Sequence, residues 1–143
     1  MADDNAVRVR IGRDHFRTEI HAGPHEMAAD EPESLGGTDT GPDPYQLLLA
    51  SLGACKAITV RMYADRKGWP LEQLEVTLSH SRVHAKDCED CSSESGMVSI
   101  IECTLDATGA LDEEQRARLA EIADKCPVHK TLTGEVKIRT ELA

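Results

Sequence analysis

Apolar and polar residues alternate from Val7 to Ile11, where Val7, Val9 and Ile11 are separated by Arg8 and Arg10. Phe16, Thr18 and Ile20 resume a period of two after Gly12-Arg13-Asp14, so an N-terminal β-hairpin is expected. Residues 23–44 break the periodicity. They are rich in Gly, Pro, Asp and Glu and read as a long loop. Such loops in a small domain commonly carry function. Residues 45–64 then form a long apolar run. Pro44 opens it, in the position where a missing N–H does no harm, and Gly68 with Pro70 closes it, so one long helix is expected. Lys56 and Arg61 interrupt the run, which favours a buried helix over a bilayer span.

Residues 76–83 and 97–105 alternate again and read as a second hairpin with a polar, cysteine-bearing tip. Asp112 followed by Gln115 reads as a capping box. Leu119, Ala120, Ile122, Ala123 and Cys126 fall on one apolar helical face, and Pro127 is expected to end that helix. Residues 136–142 form a last alternating segment, expected as a strand. The expected order is ββ-α-ββ-α-β without a strict βαβ repeat, so the fold class is α+β. One domain is expected over 1–143: hairpin and loop at 7–44, central helix at 45–68, and a ββαβ part at 76–142.

Composition narrows the function. Aromatic residues make up only 3% of the 143 residues, so the core must be aliphatic. The formal net charge of -10 repels phosphate, which argues against nucleic acid or an anionic membrane as partner. The first five residues carry two Asp and no apolar stretch, so a cytoplasmic location is expected.

Five cysteines remain to be explained, an odd number that argues against a structural disulfide framework. Cys55 lies inside the apolar helix beside Gly53 and Ala54, which let a neighbour approach closely. Lys56 follows it but points elsewhere on the helix. Cys126 precedes Pro127-Val128-His129, where His129 or Lys125 is the candidate source of positive charge. Taken singly, each cysteine is equally well read as a small buried hydrophobe. Cys88 and Cys91 form a Cys-x-x-Cys in an acidic loop, with His84 and His80 at four-residue steps before them. His80, His84, Cys88 and Cys91 are therefore candidate zinc ligands. An accessory redox pair and two exposed thiols are the other readings. Cys103, on an alternating strand, reads as core. Hydrolase, phosphate-loop, zinc-protease and dinucleotide motifs are absent.

Several segments together carry a resemblance: Ala29-Asp30-Glu31-Pro32, Gly36-Gly37, Gly41-Pro42-Asp43-Pro44-Tyr45, Leu47-Leu48 through Gly53-Ala54-Cys55, and Asp124-Lys125-Cys126-Pro127-Val128-His129. In order and spacing they resemble the OsmC/Ohr family, over roughly residues 7–142. The resemblance implies an intertwined homodimer whose sheets wrap around two central helices. It implies thiol-dependent reduction of organic hydroperoxides in oxidative stress defence with no required cofactor, and the candidate zinc at Cys88/Cys91 rests on the residue spacing alone. The peroxidatic cysteine matches Cys55 and the resolving cysteine Cys126, with a lipoyl-type or other dithiol as reductant. The family's helper Arg is best matched by Arg13. Its helper Glu is replaced by Tyr45, so Glu31 is the candidate partner of Arg13. Tyr45, Leu48 and Leu52 are the expected substrate pocket. The alternatives are a non-enzymatic small-ligand binder and a zinc-carrying protein.

Overall fold

The computed structural model describes residues 5–143, which cluster into two compact units that divide between Leu48 and Leu49. The first unit holds an antiparallel sheet in the order β1 (Val7–Ile11), β2 (Thr18–Ala22), β3 (His25–Ala29). The expected hairpin is β1–β2, with Val9 opposite Ile20. The third strand corrects the reading of 23–44 as loop throughout. Its sequence, His-Glu-Met-Ala-Ala, has weak strand propensity, but the tight Gly23-Pro24 turn folds it back onto β2 with Ala22 opposite His25. Gly23 takes φ +59°, which suits the first central position of a two-residue hairpin turn. Val7, Val9 and Ile11 are 58, 62 and 55% exposed, so the apolar side of β1 is exposed.

After β3 the chain wraps around a buried carboxylate. Asp30 accepts hydrogen bonds from the hydroxyls of Thr38 (2.7 Å) and Thr40 (2.6 Å) and from the Glu31 and Thr40 amides. The two threonine hydroxyls first, and then the amides, hold its carboxyl well below the usual carboxylate range. Gly37 fits here because any side chain would strike the Glu31 carbonyl.

The helix α1 (Pro44–Lys67) begins in the first unit and runs on through the second. By length and composition it is long and apolar enough to cross a bilayer. Its Val60, Tyr63 and Ala64 nevertheless pack into the core of the second unit with Leu71, Leu119, Ile122 and Ala123. Strands β4 (Leu71–His84) and β5 (Met97–Gly109) form a long hairpin. Gly53 brings α1 down on β4, since a Cβ there would lie 2.7 Å from Leu78 Cδ1. The helix α2 (Glu113–Ala123) opens with the expected capping box between Asp112 and Gln115.

Two sequence expectations fail at the C-terminal end. Cys126 does not lie on α2, which ends at Ala123, and Pro127 does not stop a helix. Pro127 instead opens a short helix α3 (Pro127–Thr133), with Cys126 in extended conformation as its cap. The missing proline N–H costs nothing at that position. The segment 136–142 forms no strand, and Val136, Ile138 and Leu142 are 52, 86 and 100% exposed. Alternation alone does not make a strand without a hydrogen-bonding neighbour.

Candidate functional site

Cys55 stands on α1 one turn beyond Leu52 and is half-buried. Cys126, 71 residues later, is fully buried at 0% exposure in the corner between α2 and α3. Consecutive amides of one helical turn reach the two side chains. The first turn of α3 covers both sulfurs. Val128 N–H donates to Cys55 Sγ (3.5 Å), and His129 N–H donates to Cys126 Sγ (3.3 Å).

Burial pushes the Cys126 thiol up, and the His129 amide only partly opposes it. The neighbouring Cys55 raises the Cys126 thiol further. Burial thus favours the protonated thiol at Cys126.

One residue was missed by sequence reasoning. Lys56 is a buried cation, 1% exposed, and does more than interrupt an apolar run. Its Nζ donates to the Ala123 carbonyl (3.2 Å) and the Asp124 carboxylate (3.1 Å), and lies 2.9 Å from His129 Nδ1. It ties α1 to the corner that carries Cys126. Its charge also lowers the Cys126 thiol against the larger effect of burial. The positive charge sought at Lys125 or His129 therefore comes from Lys56, while Lys125 is exposed. The usable signal was the residue type itself, because a lysine within an apolar helix face has to find partners.

The remaining candidates fall in separate places. Arg13 is exposed in the turn joining β1 to β2, and Glu31 is half-buried beside Asp30. Tyr45 is 53% exposed in the first turn of α1, Leu48 is half-buried, and Leu52 is 4% exposed. Arg13, Glu31, Tyr45 and Leu48 belong to the first unit, whereas Leu52 and both cysteines belong to the second. Cys103 faces Leu78 across the β4–β5 ladder and is half-buried, with burial raising its thiol.

The proposed zinc quartet is not assembled. Cys88 and Cys91 are joined as a disulfide, which removes both thiolates from coordination. The His84 ring Nδ1 accepts the Lys86 amide. Among the described residues, the side chains that converge with the two sulfurs come from Asp90, not from His80 or His84. In the sequence, four-residue spacing along an extended strand placed the histidines near the tip. The short helical turn at Ala85–Asp87 ends that regularity.

A family model described as OsmC-like protein matches residues 37–141. No curated protein matches the chain. Among solved structures, an OsmC-like protein from Mycoplasma pneumoniae superposes with a TM-score of 0.72 at 20% identity, covering 94% of this chain and 90% of that one. OhrB, the organic hydroperoxide resistance protein of Bacillus subtilis, gives a TM-score of 0.61 at 22% identity, covering 96% of each chain. An organic hydroperoxide resistance protein OsmC from Legionella pneumophila gives 0.63 at 24% identity, covering 90% and 88%. These likenesses establish the fold.

Proposed function

The chain belongs to the OsmC-like protein family, and on that premise we propose that it reduces organic hydroperoxides through a Cys55/Cys126 dithiol–disulfide cycle. The carrying observation is that consecutive amides in the first turn of α3 each hold one of two sulfurs 71 residues apart in sequence, Val128 N–H on Cys55 and His129 N–H on Cys126. The names of the solved Legionella and Bacillus proteins, which concern organic hydroperoxide resistance, support the same reading.

The cycle balances in three steps. The Cys55 sulfur, as thiolate, attacks the O–O bond of the hydroperoxide and becomes a sulfenic acid, while the alkoxide leaves and is protonated to the alcohol. The Cys126 thiol then condenses with the sulfenic acid, forming the Cys55–Cys126 disulfide and releasing water. A small external dithiol reduces the disulfide by exchange and is itself oxidised to a disulfide. The Val128 amide holds the attacking sulfur, and Lys56 holds the corner that presents the resolving thiol. Arg13 with Glu31 is the proposed charged helper, since Tyr45 occupies the position of the family's usual Glu. Tyr45, Leu48 and Leu52 are the proposed apolar wall for the organic group. A homodimer and a cytoplasmic location complete the proposal, and the uncovered apolar side of β1 supports the dimer.

Reduced protein is expected to consume an alkyl hydroperoxide at the expense of a dithiol, and Cys55→Ser is expected to abolish turnover. Equal turnover by that variant would overturn the proposal.

A further inference from the structure

The tip of the β4–β5 hairpin carries a second, independent sulfur chemistry. A helical turn at Ala85–Asp87 closes the tip, with the Ala85 amide bonded to the Gly96 carbonyl (2.8 Å). Within it Cys88 and Cys91 are joined as a disulfide, and Asp90 Oδ1 lies 3.3 Å from Cys88 Sγ. The two sulfurs and the Asp90 carboxylate all lie within 4.8 Å of one another. A tetrahedral zinc–sulfur site has a ligand–ligand edge of about 3.8 Å, given zinc–sulfur bonds near 2.3 Å. The Asp90 carboxylate is thus already beside the two sulfurs, which must part before a cation can sit among the three groups. The tip also attracts cations, because residues 86–96 carry four carboxylates against the single Lys86. Asp90 is exposed and both cysteines are half-buried, so an ion can reach them from solvent.

We propose that Cys88, Asp90 and Cys91 form a binding site for a thiophilic divalent cation such as zinc, open in the dithiol state and closed in the disulfide state. Opening requires an external dithiol. Its thiolate attacks one sulfur of the Cys88–Cys91 bond, and its second thiol resolves the mixed disulfide. Two electrons pass to the protein, the donor leaves as a disulfide, and Cys88 and Cys91 become thiols. Cation binding then displaces their two protons. Two thiolates and one carboxylate leave a fourth position for water, so the site is open rather than the closed type of a structural zinc finger. The inference rests on the function proposed above only for the chemical class of the reductant.

The test uses the full-length Cys55→Ser variant, in which a failure of the peroxide chemistry cannot affect the result. Dithiol-reduced protein, freed of reductant, is titrated with zinc against a chromophoric chelator and separately with cadmium. The expected result is binding of about one ion per chain, with an ultraviolet thiolate-to-cadmium band. Additional Cys88→Ser/Cys91→Ser substitutions should remove both signals. Asp90→Asn should keep the band but weaken zinc about tenfold, as the loss of one anionic ligand of three. Diamide-oxidised protein should bind no zinc and show no band. Absence of the band in reduced protein, an unchanged band in the double-serine variant, or equal binding by the oxidised form would each overturn the proposal.

Discussion

Replacing Lys56 with Met tests how the corner holding Cys126 is built. The substitution keeps the length and apolar stem of a side chain that is 1% exposed and removes only its charge and donors. Three partners lose their donor: the Ala123 carbonyl at 3.2 Å, Asp124 at 3.1 Å and His129 Nδ1 at 2.9 Å. Hydrogen bonds from a charged group contribute about 1.5–3 kcal/mol each in a buried setting. The Asp124 bond counts for little, because that carboxylate is 70% exposed and rehydrates when released. Removing the lysine also recovers the cost of burying its charge, which offsets much of the other two. A net loss of about 2 kcal/mol remains, or roughly 4–8 °C in Tm for a chain of this size. Thermal and urea unfolding of reduced protein read that loss. Amide exchange adds a local readout, with Val128 and His129 losing protection before the β4–β5 ladder does. A melting temperature within about 1 °C of the parent, well below the shift worked out above, would show that Lys56 does not fasten the corner.

Other outcomes follow from the same structure. Gly37→Ala should lower stability by about 1–3 kcal/mol, since its methyl group meets the Glu31 carbonyl and lies 2.9 Å from Asp30 Oδ1. Differential scanning calorimetry checks it, with Gly12→Ala, which meets nothing within 4 Å, as control. Because burial raises the Cys126 and Cys103 thiols, the folded state holds their protons more tightly than the unfolded state. Their contribution to stability is therefore present below about pH 8.5 and is lost as pH rises through the raised native values. Urea unfolding between pH 7 and 10.5 should show an alkaline decline that Cys126→Ser makes shallower. If the proposed dimer covers the exposed Val7, Val9 and Ile11, light scattering of the purified chain should give twice the 15.6 kDa of one copy.

The elements that could be read from the sequence were those with strong local periodicity. The β1–β2 hairpin, the long apolar helix and the capping box before α2 each have a pattern that one segment satisfies by itself. The misread elements depend on distant partners. His25–Ala29 is a strand because β2 lies beside it, and its own residues give almost no alternation. Cys126 continues the apolar spacing of α2, yet the helix stops at Ala123, where the buried Lys56 takes up the terminal carbonyl. Residues 136–142 show the reverse, a clear alternation with no strand beside it. At the site, the pairing of Cys55 with Cys126 came only from the family resemblance, since spacing alone left each cysteine as a small core residue. Lys56 escaped because its partners lie 67 to 73 residues away.

The central claim is that Cys55 and Cys126 act as one redox unit. Its most direct test is disulfide mapping after a single turnover. Fully reduced protein receives one equivalent of an alkyl hydroperoxide, is quenched by alkylation, and is digested for mass spectrometry without reductant. The account predicts a Cys55–Cys126 cross-linked peptide formed together with one equivalent of alcohol. Cys55→Ser should yield neither, and Cys126→Ser should trap Cys55 as its sulfenic acid. Alcohol production with both thiols still alkylated as free cysteines would contradict the account.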